Sequence, residues 1–276
     1  GGNSVPSMQN IGTTNNYSLH ILTNNVERMR ITNSGNVGIG TSSFNGSNPE
    51  KLLVDAGATS SFNVISGKGT IDNYLQLNIQ NNSSGNNASS DLVATANNGN
   101  ETVNYVDLGI NSSTYSLASF NITGANDAYL YSTGNDFAIG NATNNRVLKF
   151  FTGGTVAANE RMRIDKDGNV AIGTTTFNAT NPELLLVDAG TTTSFNVISG
   201  KGTINNYLQL NIQNSSSGSA ASSDVVATAN NGNETVNYVN LGINGGGNTS
   251  TGVLGGANTA YLYGTGNDFA IGNGTA

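Results

Sequence analysis

Few side chains in this sequence could do chemistry, and an internal duplication sorts them. His20 is the single imidazole. It stands between Leu19 and Ile21 on the alternate face of an apolar run, and no second member is available for a triad or a His-based metal site. A solvated strand position is expected for it. Carboxylates are better candidates, because a pair of them can hydrolyse a glycosidic bond. Asp55, Asp91, Glu101 and Asp136 reappear as Asp188, Asp224, Glu234 and Asp268, whereas Asp72, Asp107 and Asp127 become Asn205, Asn240 and Thr259. The retained acids lie in the most closely repeated strand and turn text, where turn capping and solubility are sufficient reasons for an acid. There is also no Trp to hold a sugar ring. The expectation is a protein that is not an enzyme, with no catalytic, cofactor-binding or metal residue assigned.

Two further patterns invite a ligand. Gly67-Lys68-Gly69-Thr70, repeated as Gly200-Lys201-Gly202-Thr203, has the composition of a phosphate loop. It lacks the upstream glycine and the following helix of that motif, so a turn is expected. The Asn- and Asp-rich turns could hold Ca²⁺ through oxygen ligands, but neither an EF-hand loop nor a Gly-Gly-x-Gly-x-Asp nonapeptide occurs. No cofactor is expected, Ca²⁺ being the one ion the composition would suit. Sequons such as Asn121-Ile122-Thr123 matter only in a glycosylating secretory pathway.

The composition bounds what can position these groups. The chain has 276 residues, no Cys, three Pro and 36 Gly, and only 10% of its residues are charged. Ordinary soluble domains carry about 25%, so solubility here must come from neutral Asn, Ser and Thr. Without Cys there is neither a disulfide framework nor a thiolate metal site. The net charge of −7 and the scattering of ten basic residues argue against a nucleic-acid partner, which would need a clustered basic footprint. No apolar run approaches the roughly 20 residues of a membrane span. The opening Gly-Gly-Asn-Ser lacks the regions of a signal peptide and reads as a processing boundary.

Self-similarity organises the rest. The stretch from Glu27 to Ile110 returns from Glu160 to Ile243, with Ser61–Ile71 unchanged from Ser194 onward. After Asn111 the copies diverge through a Gly/Ser/Thr/Asn loop and rejoin at Tyr129-Leu130-Tyr131 and Tyr261-Leu262-Tyr263. The organisation read from this is the tail end of a preceding repeat over 1–25, repeat unit 1 over 26–158 and a truncated repeat unit 2 over 159–276. In unit 1 a β-hairpin (26–41) precedes a β domain (50–141) and a connecting strand (142–158). Unit 2 has its hairpin at 159–174 and its β domain at 183–273. The whole reads as an excerpt from a longer array.

Within a unit, period-2 alternation predicts strands at Glu27–Ile31, Asn36–Gly40, Tyr74–Ile79, Thr102–Val106, Ala128–Tyr131 and Asp136–Ile139. Asn33-Ser34-Gly35 is a turn, and its counterpart Asp167-Gly168 is a two-residue hairpin signal. Pro49–Val54 comes nearest to a helix and is too short. The fold class expected is all-β: an elongated repeat fibre, an intertwined homotrimer of hairpin shaft segments alternating with small β domains. A two-stranded hairpin is marginal in water, so burial must come from other chains or from stacked neighbours. Three chains around one axis would supply it. The core candidates are Met29, Ile31, Val37 and Ile39, with Met162, Ile164, Val170 and Ile172 in the copy.

Glu27-Arg28-Met29-Arg30-Ile31-Thr32-Asn33-Ser34-Gly35-Asn36-Val37-Gly38-Ile39-Gly40-Thr41, and the copy ending Gly168-Asn169-Val170-Ala171-Ile172-Gly173-Thr174, resemble a motif of phage tail fibres. The motif commonly lies in the shaft, often upstream of a self-cleaving chaperone domain of the endosialidase type. The blocks Ser89–Thr95 and Asn104–Asn111 are similar to globular insertions of such fibres. The resemblance implies a homotrimer on the virion tail that takes part in host attachment as a rigid spacer. No Ser and Lys cleavage dyad is recognisable in this chain. Host glycans or protein receptors are the expected outside partners, met weakly through the variable loops at Ser112, Ser113, Thr114 and Tyr115 and at Asn248. The alternatives are a bacterial cell-surface adhesin or extracellular filament, and, less favoured, a polysaccharide depolymerase.

Overall fold

The computed structural model of the protein describes residues 10–272 and 274. β1 (Leu19–Thr23), β2 (Val26–Ile31), β3 (Val37–Ile39) and β4 (Leu52–Val54) form one sheet in that order. β1, β2 and β3 are antiparallel neighbours, and β4 runs parallel to β3. The register sets Leu19, Ile31, Val37 and Leu52 in one row and Ile21, Met29, Ile39 and Val54 in the next, on the same face. β5 (Ser89–Thr95), β6 (Tyr105–Asn111) and β7 (Ala128–Thr133) form an antiparallel sheet with β6 in the centre.

The same two sheets follow in the second half. β8 (Leu148–Phe151), β9 (Glu160–Ile164), β10 (Val170–Ile172) and β11 (Leu185–Val187) repeat the four-stranded order. β12 (Ser222–Thr228), β13 (Tyr238–Asn244) and β14 (Ala260–Gly264) repeat the three-stranded one. The protein is all-β, and among the described residues the one helical element is a single 3₁₀ turn at Ala157–Asn159. Packing divides the chain between Ala138 and Ile139. The sequence repeat and the hydrogen-bonded unit are therefore staggered. β8, placed by sequence at the end of repeat unit 1, pairs with β9, and β1 pairs with β2 in the same way.

Several local expectations are corrected. The β9–β10 turn is a three-residue loop, not a two-residue one. Asp165 N donates to Asn169 O at 2.9 Å, and Gly168 N donates to Asp165 O at 3.2 Å. A two-residue type I′ turn needs positive φ at both central positions, whereas here Gly168 alone (φ 87°) supplies it. The Thr102–Val106 strand begins only at Tyr105, because Asn100 Oδ1 takes the backbone N–H of Thr102 (2.8 Å) and Val103 (3.1 Å) and Asn104 is left-handed (φ 57°). Pro49–Val54 yields the parallel strand β4, a short apolar run whose periodicity cannot separate helix from strand. Asp136–Ile139 and Gly67–Thr70 are irregular rather than strand and turn. Tyr74–Ile79 alternates strictly but pairs with no strand among the described residues, and every residue from 55 to 87, like every residue from 188 to 220, is exposed.

Asp165 shows how the hairpin is pinned. Its Oδ1 accepts from the backbone N–H of Asp167 and Asn169, both at 2.9 Å, and its Oδ2 accepts from Asn169 Nδ2 at 3.1 Å. Thr32 Oγ1 takes the corresponding N–H, from Asn36, in the first hairpin. Asp165→Ala is expected to cost about 1–2 kcal/mol, read as faster hydrogen exchange in β9 and β10, and Asp165→Thr to recover most of it. Burial opposes the Asp165 charge, but these donors outweigh it and hold the carboxyl below its usual range. The stability it contributes is present above the ordinary carboxylate pKa and is lost as pH falls through the lowered folded value.

Candidate functional site

The described residues bury few apolar side chains. Tyr115, Ala171 and Ala221 are the buried hydrophobic residues, and no large side chain is fully buried. The chain exposes 22259 Å². Two compact folded units, each of half its 28.3 kDa mass, would together expose about 13,500 Å². Most of the apolar surface that the alternation should hide is therefore open, and it is open on particular faces.

The four-stranded sheets present the first of these faces. Met29 lies opposite Ile39 and Ile31 opposite Val37; Met162 lies opposite Ile172 and Ile164 opposite Val170. None of these eight core candidates is buried within the single chain, and Ile39 and Ile172 are each 40% exposed. β8 and β11 extend the second patch with Phe150 beside Met162 and Leu185 beside Val170.

The three-stranded sheets present the second. Leu92, Leu108 and Leu130 stand in one row across β5, β6 and β7, each more than half exposed, and Val225, Leu241 and Leu262 repeat the row. Leu77 and Ile79 run beside it and, with Leu92, Leu108 and Ile110, line a groove of about 350 Å³. Leu77 is 83% exposed and its counterpart Leu210 is 86% exposed. The hairpin residues are legible in the sequence as alternating apolar pairs; this leucine row is not. Its signal was the alternation Ser90-Leu92-Ala94 against Asp91-Val93, muted by small and polar neighbours.

The opposite face of β5–β6–β7 is covered by its own loop. Phe120 packs edge-on to Tyr129, with ring centroids 5.4 Å apart, and against Tyr131 at 5.0 Å. The Tyr105 and Tyr131 hydroxyls are hydrogen-bonded at 2.5 Å. Tyr129 donates to Asp91 Oδ1, and Ser89 Oγ donates to Asp91 Oδ2 at 2.6 Å. Burial, reinforced by these neighbours, pushes the phenols of Tyr129 and Tyr131 well above their usual range. Neither has access to a phenolate at ordinary pH.

The variable loops are pinned by a retained buried asparagine. Asn111 Nδ2 donates to Thr123 Oγ1 (3.0 Å) and Gly124 O (2.9 Å), and Asn244 Nδ2 donates to Leu254 O, Gly255 O and Gly256 O. Of the loop candidates, Tyr115 and Asn248 are buried. Asn248 holds its loop by donating to Ala221 O at 3.2 Å and accepting from Ser250 N at 2.8 Å. Ser112 donates to Gly85 O at 2.8 Å, and Thr114 donates to Ser84 O. Ser113 stands exposed, and so do Ile122 (86%) and Val253 (97%) farther along the two loops.

The remaining polar candidates are distributed singly. His20 Nδ1 lies 3.0 Å from Glu27 Oε2, and Arg30 Nε lies 2.5 Å from Glu27 Oε1. Lys149, Arg163 and Glu160 repeat the trio in the second unit. Asp55 and Asp188 cap turns, accepting from Gly57 N and Gly190 N at 2.8 Å. Asp136 borders a cleft of about 540 Å³ with Tyr105 and Phe137, and Asp268 borders its counterpart with Tyr238 and Phe269. Glu101 is exposed in a bend. Among the described residues, no group of three or more His, Cys, Asp or Glu side chains gathers as a metal cage requires, and no helix is long and apolar enough to cross a membrane. No protein-family model matches the chain, and no curated protein matches it in sequence.

Proposed function

We propose that the chain is a shaft segment of a phage tail fibre, a rigid homotrimeric spacer in host attachment. One observation carries this reading. The strictly alternating stretch Tyr74–Ile79 and its copy Tyr207–Ile212 are exposed and pair with no strand among the described residues. Alternation of that kind marks a half-buried strand, so its partner is supplied by another chain. The exposed leucine row and the hairpin faces ask for the same cover. The surface beyond that of two compact units, about 8,800 Å² per chain, exceeds what even large obligate interfaces bury on one partner.

The mechanism is mechanical. Repeats set length, three chains cover one another's apolar faces and open strand edges, and neutral amides and hydroxyls keep the outer surface soluble. Host glycans are met weakly by the exposed parts of the variable loops, around Ser113 and Ile122, where the two copies differ and a scaffold can vary its contacts without disturbing its core. Excising residues 27–159 joins Val26 to Glu160 and removes one repeat in register. Electron micrographs are expected to show particles shortened by a fixed length and otherwise unchanged; collapsed particles would contradict the spacer reading.

A further inference from the structure

The covered face of the first three-stranded sheet holds two carboxyl groups side by side. Asp91 lies opposite Gly109, and Asp107 is two residues along β6 from that glycine, so the two are diagonal neighbours across one strand pair. Asp91 already accepts from the Tyr129 and Ser89 hydroxyls. Asp107 is 8% exposed, and its Oδ1 is buried without a hydrogen-bond partner.

The second unit supplies the comparison. Asp224, Ser222 and Tyr261 keep their places, with Ser222 and Tyr261 donating to Asp224, but Asn240 stands where the first unit has Asp107. Asn240 Nδ2 donates to Asp224 Oδ1 at 2.8 Å, and Asn240 Oδ1 is left buried and unpartnered, as Asp107 Oδ1 is. The amide thus brings one hydrogen into the contact and leaves one carbonyl oxygen over. A carboxylate has no hydrogen to bring; a carboxylic acid has one and leaves the same oxygen over.

We infer that Asp107 is held as the neutral acid and donates its hydrogen to Asp91, which makes the β5–β6–β7 sheet a proton-dependent element and leaves its duplicate, with Asn240, without that dependence. The titratable groups facing Asp107 are Asp91 from β5 and Tyr129 and Tyr131 from β7, beside Tyr105 on β6 and the Phe120 ring of the covering loop. None of them is a cation that would favour an ionised Asp107. Burial, and then the charge of Asp91, raise the Asp107 pKa. In the duplicate, burial opposes the charge of Asp224, but the donated hydrogen bonds of Ser222, Tyr261 and Asn240 outweigh it and lower its pKa.

The two sheets therefore respond to pH with opposite signs. Asp107, with its folded pKa raised, contributes stability that is fully present below the unfolded pKa and is lost as pH rises through the folded one. Its proton then leaves to solvent, and two carboxylates face each other across β5 and β6. Asp224, with its folded pKa lowered, contributes stability that is lost only as pH falls.

Hydrogen exchange on the whole 276-residue chain tests this, because the β6 peptide Tyr105–Asn111 and the β13 peptide Tyr238–Asn244 differ in mass by the Asp/Asn exchange and each serves as the other's reference. From about pH 4 to about pH 8, protection of β6 relative to β13 is expected to fall by about tenfold. Asp107→Asn, which copies the residue the duplicate already carries, should flatten that ratio and remove a protonated-carboxyl band from the infrared spectrum. Asn240→Asp should confer the same decline on β13. A ratio constant across the range, or an unchanged slope in Asp107→Asn, would overturn the inference. Should Asn240→Asp fail to fold, Asp107→Asn decides alone.

Discussion

Replacing Leu77 by Asp lowers the stability of the assembled protein by about 3–5 kcal/mol per chain, the sum of a lost buried leucine and the cost of desolvating a carboxylate. That is the result expected if three chains cover one another, although Leu77 is 83% exposed in the single chain. A residue so exposed in a self-sufficient monomer would tolerate the change to within about 0.5 kcal/mol. Thermal unfolding distinguishes the two cases, and Leu210→Asp should behave alike. Leu184 is the control. It is 79% exposed, but its counterpart in the first unit is Lys51, so a polar residue is already accepted at that position. Leu184→Lys is expected to leave the unfolding midpoint unchanged.

Gly109→Ala has the second large effect and acts within one chain. Gly109 is buried opposite both Asp91 and Tyr129, and a Cβ there would overlap the Asp91 carboxylate and the tyrosine ring. Neither neighbour can yield cheaply, since the two are hydrogen-bonded to each other and Phe120 packs against the ring. Overpacking of this kind costs about 3 kcal/mol, seen as a lower denaturant midpoint. Gly242→Ala should act likewise against Asp224 and Tyr261. Gly38 marks the contrast. A Cβ there would come within 2.6 Å of the Thr41 carbonyl oxygen, but the counterpart Ala171 is completely buried with its methyl group in place, so the turn accommodates it by a small shift and Gly38→Ala is expected to cost less than Gly109→Ala.

What was legible in the sequence follows the physics of each element. β2 and β3 were read from Met29, Ile31, Val37 and Ile39 because alternation alone specifies a strand with one apolar face. β4 was missed because Leu52-Leu53-Val54 is a short apolar run without a period. The start of β6 was misplaced because Asn100 captures backbone donors that a strand would have used. Tyr74–Ile79 is the instructive failure: the alternation is real, but pairing is a property of two strands, and no partner strand for it lies among the described residues. The leucine row across β5–β7 emerged only with the register, since three leucines in three separate segments have no spacing that links them. The Asp107 to Asn240 exchange was visible as text, but its meaning needed the diagonal contact with Asp91 and Asp224.

The native mass of the chain in solution decides whether it self-associates. Three copies in one particle, stable on dilution and lost in Leu77→Asp, is the predicted result. A monomer of 28.3 kDa that unfolds cooperatively would contradict it, because such a chain would be stable with its alternating strands unpaired and its leucine rows in water.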